Sequence, residues 1–448
     1  MITIRGTLAG AAVPLLALML AGSALAQDEI YQGPSILSRN PSTTGERGGK
    51  LIDFRFYGEV TGIYDDGLTP VSVDSSGQVL NPGGQFGVET GFGVIGTRLW
   101  KHDKVSLDYH GYYRHYTQNS FYDGTDHYLN FDWDHMLSRH VTLSTTLMAG
   151  SLSQSTGAFS YVPLRNTDFF GAPSNELFDN RTSFAQPAMT LVWQKTRRLS
   201  FSFGGDGYLV RRRSAALAGM NGYRARADMA YRFTKTQTVS ASYSYTEFDF
   251  QRTFGNASLH SVALGYGYGL GKNWDFSTQL GASRVETSGL NVITLDPAIA
   301  AIVGESTTTT AFFQTSWIPL LDARLTRRFE HSSLAFDYFI GMSPGNGVYL
   351  ASRQHTAAAT YNYVATKRAT LAATFGYSDL SSLGQNIGKY NNYQGGAGFT
   401  YRLISAVHFE LRYDRRHYST QNNLYKKDEN RATFGLAFSP GDAPLPIW

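Results

Sequence analysis

The chain has 448 residues, no cysteine, 46 glycines, an aromatic content of 14% and a charged content of only 17%. The absence of thiols excludes a disulfide framework, a Cys-ligated metal and a Cys nucleophile. A net charge of +4 over this length does not mark a nucleic-acid binder, while the surplus of aromatic residues and glycine marks a β-rich chain.

Residues 1–26 read as a secretory signal peptide. Arg5 gives the positive start, Leu8 to Leu20 give the apolar stretch, and Ala24-Leu25-Ala26 gives a small-residue cleavage site before Gln27. Residues 27–50 are polar and turn-rich and read as a periplasmic or lumen-lying arm without a core. Past residue 26 there is no run of about 18 apolar residues, so no transmembrane helix is predicted.

From Leu51 to Phe438 the period is two. Ile52, Phe54 and Phe56 alternate with Asp53, Arg55 and Tyr57. Leu129, Phe131 and Trp133 alternate with Asn130, Asp132 and Asp134. Leu371, Ala373, Phe375 and Tyr377 alternate with Ala372, Thr374 and Gly376, and Val407, Phe409, Leu411 and Tyr413 with His408, Glu410, Arg412 and Asp414. Such strands make a sheet with two unlike faces. Short connections, such as 101–104, 196–198, 271–273 and 366–368, take turns with long ones, such as 65–85, 153–181, 288–307 and 380–393. The count is about 18 strands, with a range of 16–20 set by Pro187 and by Pro319 in 311–329. The predicted fold is all-β, a transmembrane antiparallel up-and-down β-barrel over residues 51–438. Lipid outside requires the apolar row, and closure leaves no unpaired edge. Trp100, Trp193, Tyr231, Trp274, Phe329 and Tyr401, beside basic residues at the short turns, fit an inner aromatic girdle.

With these residues the chain resembles the porin-like, single-chain outer-membrane β-barrels of diderm bacteria. The resemblance implies an outer-membrane location, surrounding lipid, and a last strand, Arg431–Phe438, read by the barrel-assembly machinery. Here residues 439–448, a Pro-rich periplasmic tail, follow that aromatic end, and three prolines bar them from a ladder. Residues 27–50 are too few for the plug domain of a TonB-dependent receptor.

Two local patterns invite chemistry. Gly91-x-Gly93-x-x-Gly96 matches the dinucleotide fingerprint but sits inside a strand with no helix after it, so its glycines read as lumen-facing or kink positions. Asp132, Asp134 and His135 look like a metal or acid–base cluster, but alternation puts His135 on the other face. No nucleophile elbow occurs. No catalytic, cofactor or metal residue is therefore predicted, and no cofactor.

The lumen phase supplies the site candidates. The pore-lining set is Asp53, Arg55, Glu59, Asp108, Arg114, Asp132, Asp134, Arg224, Arg226, Asp228, Glu410, Arg412, Asp414 and Arg416. Such residues either pair across strands and stiffen the wall or form a charged constriction that filters solutes. Tyr57, Tyr112, Tyr116, Tyr128 and Tyr208 are candidates for stacking sugar rings, with packing as the alternative. Any loop folded inward is expected to be 153–181. The function expected is passage of small polar solutes, sugars among them. The alternatives are the barrel of a polysaccharide exporter and a rim-site hydrolase. The sequence leaves the solute, the direction of transport and the oligomeric state open.

Overall fold

The computed structural model describes residues 53–66, 72–73, 79–80, 83–118, 120–153, 181–271, 273–294, 306–366, 368–384, 387–404, 406–420 and 425–438. The expected signal peptide, arm and Pro-rich tail and the body of the 153–181 connection lie outside the described residues.

Eighteen long strands form one sheet. They are β1 (Asp53–Asp65), β4 (Gln85–Leu99), β5 (Asp103–Tyr116), β6 (Gly124–Ser138), β7 (Val141–Leu152), β8 (Thr182–Gln194), β9 (Leu199–Arg212), β10 (Gly219–Arg232), β11 (Gln237–Gln251), β12 (Asn256–Leu270), β13 (Trp274–Thr294), β14 (Thr307–Arg328), β15 (Ser332–Gly345), β16 (Leu350–Val364), β17 (Ala369–Ser382), β18 (Lys389–Arg402), β19 (Val407–Thr420) and β20 (Tyr425–Phe438). A two-residue ribbon, β2 (Ser72–Val73) with β3 (Val79–Leu80), lies in the first long connection. Every long strand pairs antiparallel with its neighbours in sequence, and β1 pairs with both β4 and β20, which closes the sheet. The protein is a transmembrane up-and-down β-barrel.

The two faces differ as the alternation requires. On β17, Leu371 and Phe375 face outward and are exposed while Thr370 and Ser378 are buried on the lumen side. Pro187 sits within β8 opposite Leu147 and Pro319 within β14 opposite Ala282, so neither breaks a strand.

The height of the lipid band follows from the outward charges. A strand residue rises about 3.3 Å along the strand, which a tilt of roughly 40° reduces to about 2.5 Å along the barrel axis. Outward-facing Arg284, Glu247 and Asp428 each stand ten residues above the periplasmic end of their strand. That is about 25 Å, the height of an outer-membrane apolar band. At the lower edge exposed Trp100, Trp193, Tyr231, Phe329 and Tyr401 form the girdle. Arg98 lies over the Trp100 ring at 4.9 Å, and Arg327 over Trp274 at 4.5 Å and Phe329 at 4.2 Å.

Two regions depart from a regular cylinder. Strands β13 and β14 run 21 and 22 residues against 12–15 for the other barrel strands, so much of the predicted 288–307 connection is ladder. β14 pairs with β15 only from Leu321↔Ile340 down to Arg328↔Ser333. Above that level β15 stays paired with β16, and Gly341–Asn346 and Tyr349 are buried inside the barrel.

Candidate functional site

Eighteen strands about 4.8 Å apart, tilted as above, enclose a backbone cylinder of roughly 18 Å radius. A bare cylinder of that size would leave its lumen side chains wet. Instead the upper lumen is densely packed, and its packing has two unlike halves.

One half, on β19, β20, β1, β4 and β5 with the top of β6, is acid and base. Arg114, only 1% exposed, binds Glu89 through Nε and Asp126 through Nη1 at 2.6 Å, and donates to Ser153 Oγ at 3.2 Å. Glu89 also accepts from Arg431 Nη2 at 3.1 Å. Next to this, Arg416 donates to Asn392 Oδ1 at 2.7 Å and to Tyr390 Oη at 2.6 Å, faces Glu429 at 3.6 Å and covers the Tyr418 ring at 5.0 Å. Arg412 grips Asp414 with two donors, both at 2.6 Å. Lower on the same wall Tyr57 Oη meets His110 Nδ1 at 2.5 Å and Tyr112 Oη at 2.9 Å, while His110 Nε2 contacts Asp108. Tyr116 donates to Asp65 at 3.4 Å. Pairing of this density offsets the cost of removing the charges from bulk water.

The other half, running from β6 to β14, is apolar. Tyr128, Met148, Phe184, Tyr208, Val210, Met220, Phe248, Phe250, Leu259, Val285 and Ile318 are buried in one cluster with Met342 of β15 and Ala351 of β16. The inward hairpin between β15 and β16 joins the two halves. Met342 and Ala351 lie in the apolar cluster, whereas Tyr349 packs with Leu380, Tyr390 and Tyr418 on the other wall. The hairpin tip reaches the β9–β10 connection, where the Ala218 N–H donates to the Gly347 carbonyl at 3.0 Å. Gly347 has φ +93°, and a Cβ there would lie 2.8 Å from Arg212 Nε.

The lower lumen is more open and lined by small groups. Ser240, Ser242, Ser261 and Ser277 face it from β11, β12 and β13, with Ser261 and Ser283 hydroxyls 2.7 Å apart. Arg224 pairs with Asp206 and Arg226 with Asp228, each at 3.1 Å, and Ser202 donates to Asp228 at 2.9 Å. Arg324 faces Asp337 at 3.7 Å.

The structure therefore gathers Tyr57, Glu59, Asp108, Tyr112, Arg114, Tyr116, Glu410, Arg412, Asp414 and Arg416 on one wall. It sets Arg224, Arg226, Asp228 and Tyr208 on another, with Arg224 5.8 Å over the Tyr208 ring. Asp132 and Asp134 hold the lower part of β6, where Asn130 donates to Asp132 at 3.0 Å. His135 is on the outer face, bonded to Asp103 at 2.7 Å. The backbones of Asp53 and Arg55 start β1, and their side chains lie outside the described residues. Tyr57, Tyr112, Tyr116, Tyr128 and Tyr208 are all buried, the first three with hydroxyls bonded inside the wall. Gly91 and Gly93 leave room for rings: a Cβ on Gly91 would come 2.6 Å from Tyr112, and one on Gly93 would collide with Tyr57.

Sequence reasoning misses Glu89, Asp126, Glu429 and Arg431, and the apolar arc apart from Tyr128 and Tyr208. Glu89 and Arg431 were in the lumen phase and visible there. Glu429 falls in the expected 419–429 connection, which the structure shows to be partly strand β20. The apolar arc carries its own signal on β11, where the greasy phase changes sides between Thr246 and Phe248 as outward Glu247 and Asp249 appear.

Closure, outward band and girdle together decide the class. The architecture is that of a porin-like outer-membrane barrel. No family model matches the chain, and no curated protein is similar to it in sequence. Among solved structures it is similar to Pseudomonas aeruginosa OccK5 (OpdH), with 14% identity over 90% of this chain and 100% of that one and a TM-score of 0.39. It is similar also to P. aeruginosa OccK2 (OpdF) in complex with glucuronate, with 12% identity over 88% and 100% and a TM-score of 0.42. A third is Acinetobacter baumannii OccAB4, with 9% identity over 88% and 99% and a TM-score of 0.39. Likenesses this distant carry no weight for function, and the barrel rests on the chain's own strand pairing.

Proposed function

We propose that the protein is an outer-membrane channel for small polar solutes, selective because its upper lumen is half acid–base and half apolar. The observation that carries the reading is the pair of unlike walls in the upper lumen. In the upper lumen, Glu89, Arg114, Asp126, Arg416, Glu429 and Arg431 stand across from Phe184, Met220, Phe248, Leu259 and Val285, with the β15–β16 hairpin between them. A field of paired charges on one wall orients a polar solute, and an apolar wall facing it accepts the solute's less polar side. Monosaccharides and their charged derivatives have such two-sided character and are the finer substrate reading. Arg226, the more open lumen cation, bears on anionic groups, and the lower serine-lined wall offers hydroxyls without bulk.

The test is electrical and osmotic. Refolded barrel in planar bilayers should give steady ohmic steps, and vesicles containing it should swell in glucose or glucuronate at rates that fall steeply with solute size. A barrel that neither conducts nor permits swelling would overturn the reading.

A further inference from the structure

The wall of the barrel parts within the outer half of the lipid band. The last rung joining β14 to β15 is Leu321↔Ile340. Leu321 also pairs with Leu280, six residues above Trp274, which places that rung about 15 Å above the inner girdle and near mid-bilayer. From Leu320 upward, no described residue pairs with the far edge of β14. Above, the ribbon leans back: Phe312 meets the β17–β18 connection at Gly384, where a Cβ would collide with its ring. The parting is thus bounded below by a rung and above by a ring contact.

An unpaired edge facing hydrocarbon is costly, so its backbone polarity matters. The Arg328 N–H donates to the Asn273 carbonyl at 2.8 Å and the Phe329 N–H to the Ser332 carbonyl at 2.7 Å. These bonds fix the phase, so even-numbered residues of β14 bond to β13 and odd-numbered ones point toward β15. The first odd residue beyond Leu321 is Pro319, which has no N–H to leave unsatisfied. The chain has removed a donor where the ladder stops at lipid depth. The lumen side is apolar from the outer edge of the band upward: Ile318 of β14 and Met342 of β15 stand at that edge, and Val285 of β13 and Ala351 of β16 continue the apolar arc just above it. Outside, Trp317, paired with Arg284 at the outer edge of the lipid band, is 72% exposed.

We infer that this parting is a lateral portal that admits an acyl chain from the outer leaflet side to the apolar arc of the lumen. It goes beyond the polar route and does not depend on it. The acyl chain has two possible sources, a resident lipid or a free single-tailed amphiphile, and the experiment separates them.

The chain has no cysteine, so single substitutions place one fluorophore each. Met342→Cys and Ile318→Cys report the portal from two strands. Ser242→Cys is the control, in the lumen where β11 is fully paired to β10 and β12. Each labelled barrel is reconstituted into vesicles of mid-chain brominated phosphatidylcholine, then into unbrominated vesicles given dibromostearate. Quenching at Met342 or Ile318 at least threefold stronger than at Ser242 is expected. With the phospholipid it assigns a resident lipid, and with dibromostearate alone it assigns a free amphiphile. Quenching no greater than at Ser242 in both arms, from labelled barrels whose heat-shifted gel mobility shows folding, would overturn the portal. Swelling of the same vesicles in glucose is read in parallel. Swelling without quenching sinks the portal alone, and quenching without swelling sinks the channel alone.

Discussion

Glu247 and Phe248 are neighbours on β11 that face opposite ways, the carboxylate to the exterior and the ring into the buried lumen cluster. Four residues lower, Tyr243 is exposed on the outside and Ser244 faces inward. The strand reverses its polarity where it leaves the bilayer. An outward arginine should therefore be tolerated or not according to height. Leu264→Arg, near mid-band on β12, is expected to cost about 2–4 kcal/mol, and Glu247→Arg about 0–1 kcal/mol. Guanidine titration of folding into vesicles measures both.

Arg114 answers for two carboxylates, Glu89 and Asp126, in a wall where it is almost wholly buried. Arg114→Ala leaves two buried negative groups short of a partner and should lower stability by about 3–5 kcal/mol. Arg415→Ala, whose 3.5 Å pair with Asp428 is exposed on the outer face, should change it by less than about 1 kcal/mol. Urea unfolding of the refolded barrel distinguishes the two.

Gly93 faces the Tyr57 ring, and the carbonyl of Tyr109 would lie 2.8 Å from any Cβ placed there. Gly93→Val should push Tyr57 away from His110 and Tyr112 and cost about 1–3 kcal/mol by overpacking. The thermal midpoint and near-ultraviolet tyrosine signal should fall together. Gly96→Ala, farther down the same strand, is the comparison.

The hairpin tip is held to the far wall through Gly347, whose left-handed backbone and close neighbour Arg212 leave no room for a side chain. Gly347→Val is expected to release the tip and raise single-channel conductance severalfold without loss of folding. Unchanged conductance would show that the tip does not limit the pore.

Arg226 is the more open of the lower lumen cations, paired with Asp228 on its own strand. Arg226→Glu exchanges a positive for a negative wall charge. Under a potassium chloride gradient the reversal potential should move toward cation preference.

Much of the barrel was legible in the residues. The strands, their number and the lumen phase of Glu59, Arg114, Arg416 and the tyrosines follow from alternation and from the rhythm of short and long connections. What alternation does not encode is the medium at each height. It assigned every apolar row to lipid, so Phe248, Leu259 and Val285, which are apolar in the opposite phase, went unread. It also cannot say which hairpin bends inward. The fold of Gly341–Ala351 into the lumen depends on partners such as Ala218 and Leu380, far away in the chain. Pro319 was a weak point in counting strands because its meaning lies in which backbone edge is left open.

The seam between β1 and β20 sets an order of events. Thr61 pairs with Gly435, and a Cβ on that glycine would lie 2.6 Å from Thr61 Cα, so the two ends meet closely. The first strand must wait for the last to be synthesised before its own edge is satisfied. Contacts this distant in sequence make the final closing step slow. Until then the nascent protein is a curled ribbon with two sticky margins, and any truncation before β20 should leave it open to aggregation or proteolysis instead of producing a smaller pore.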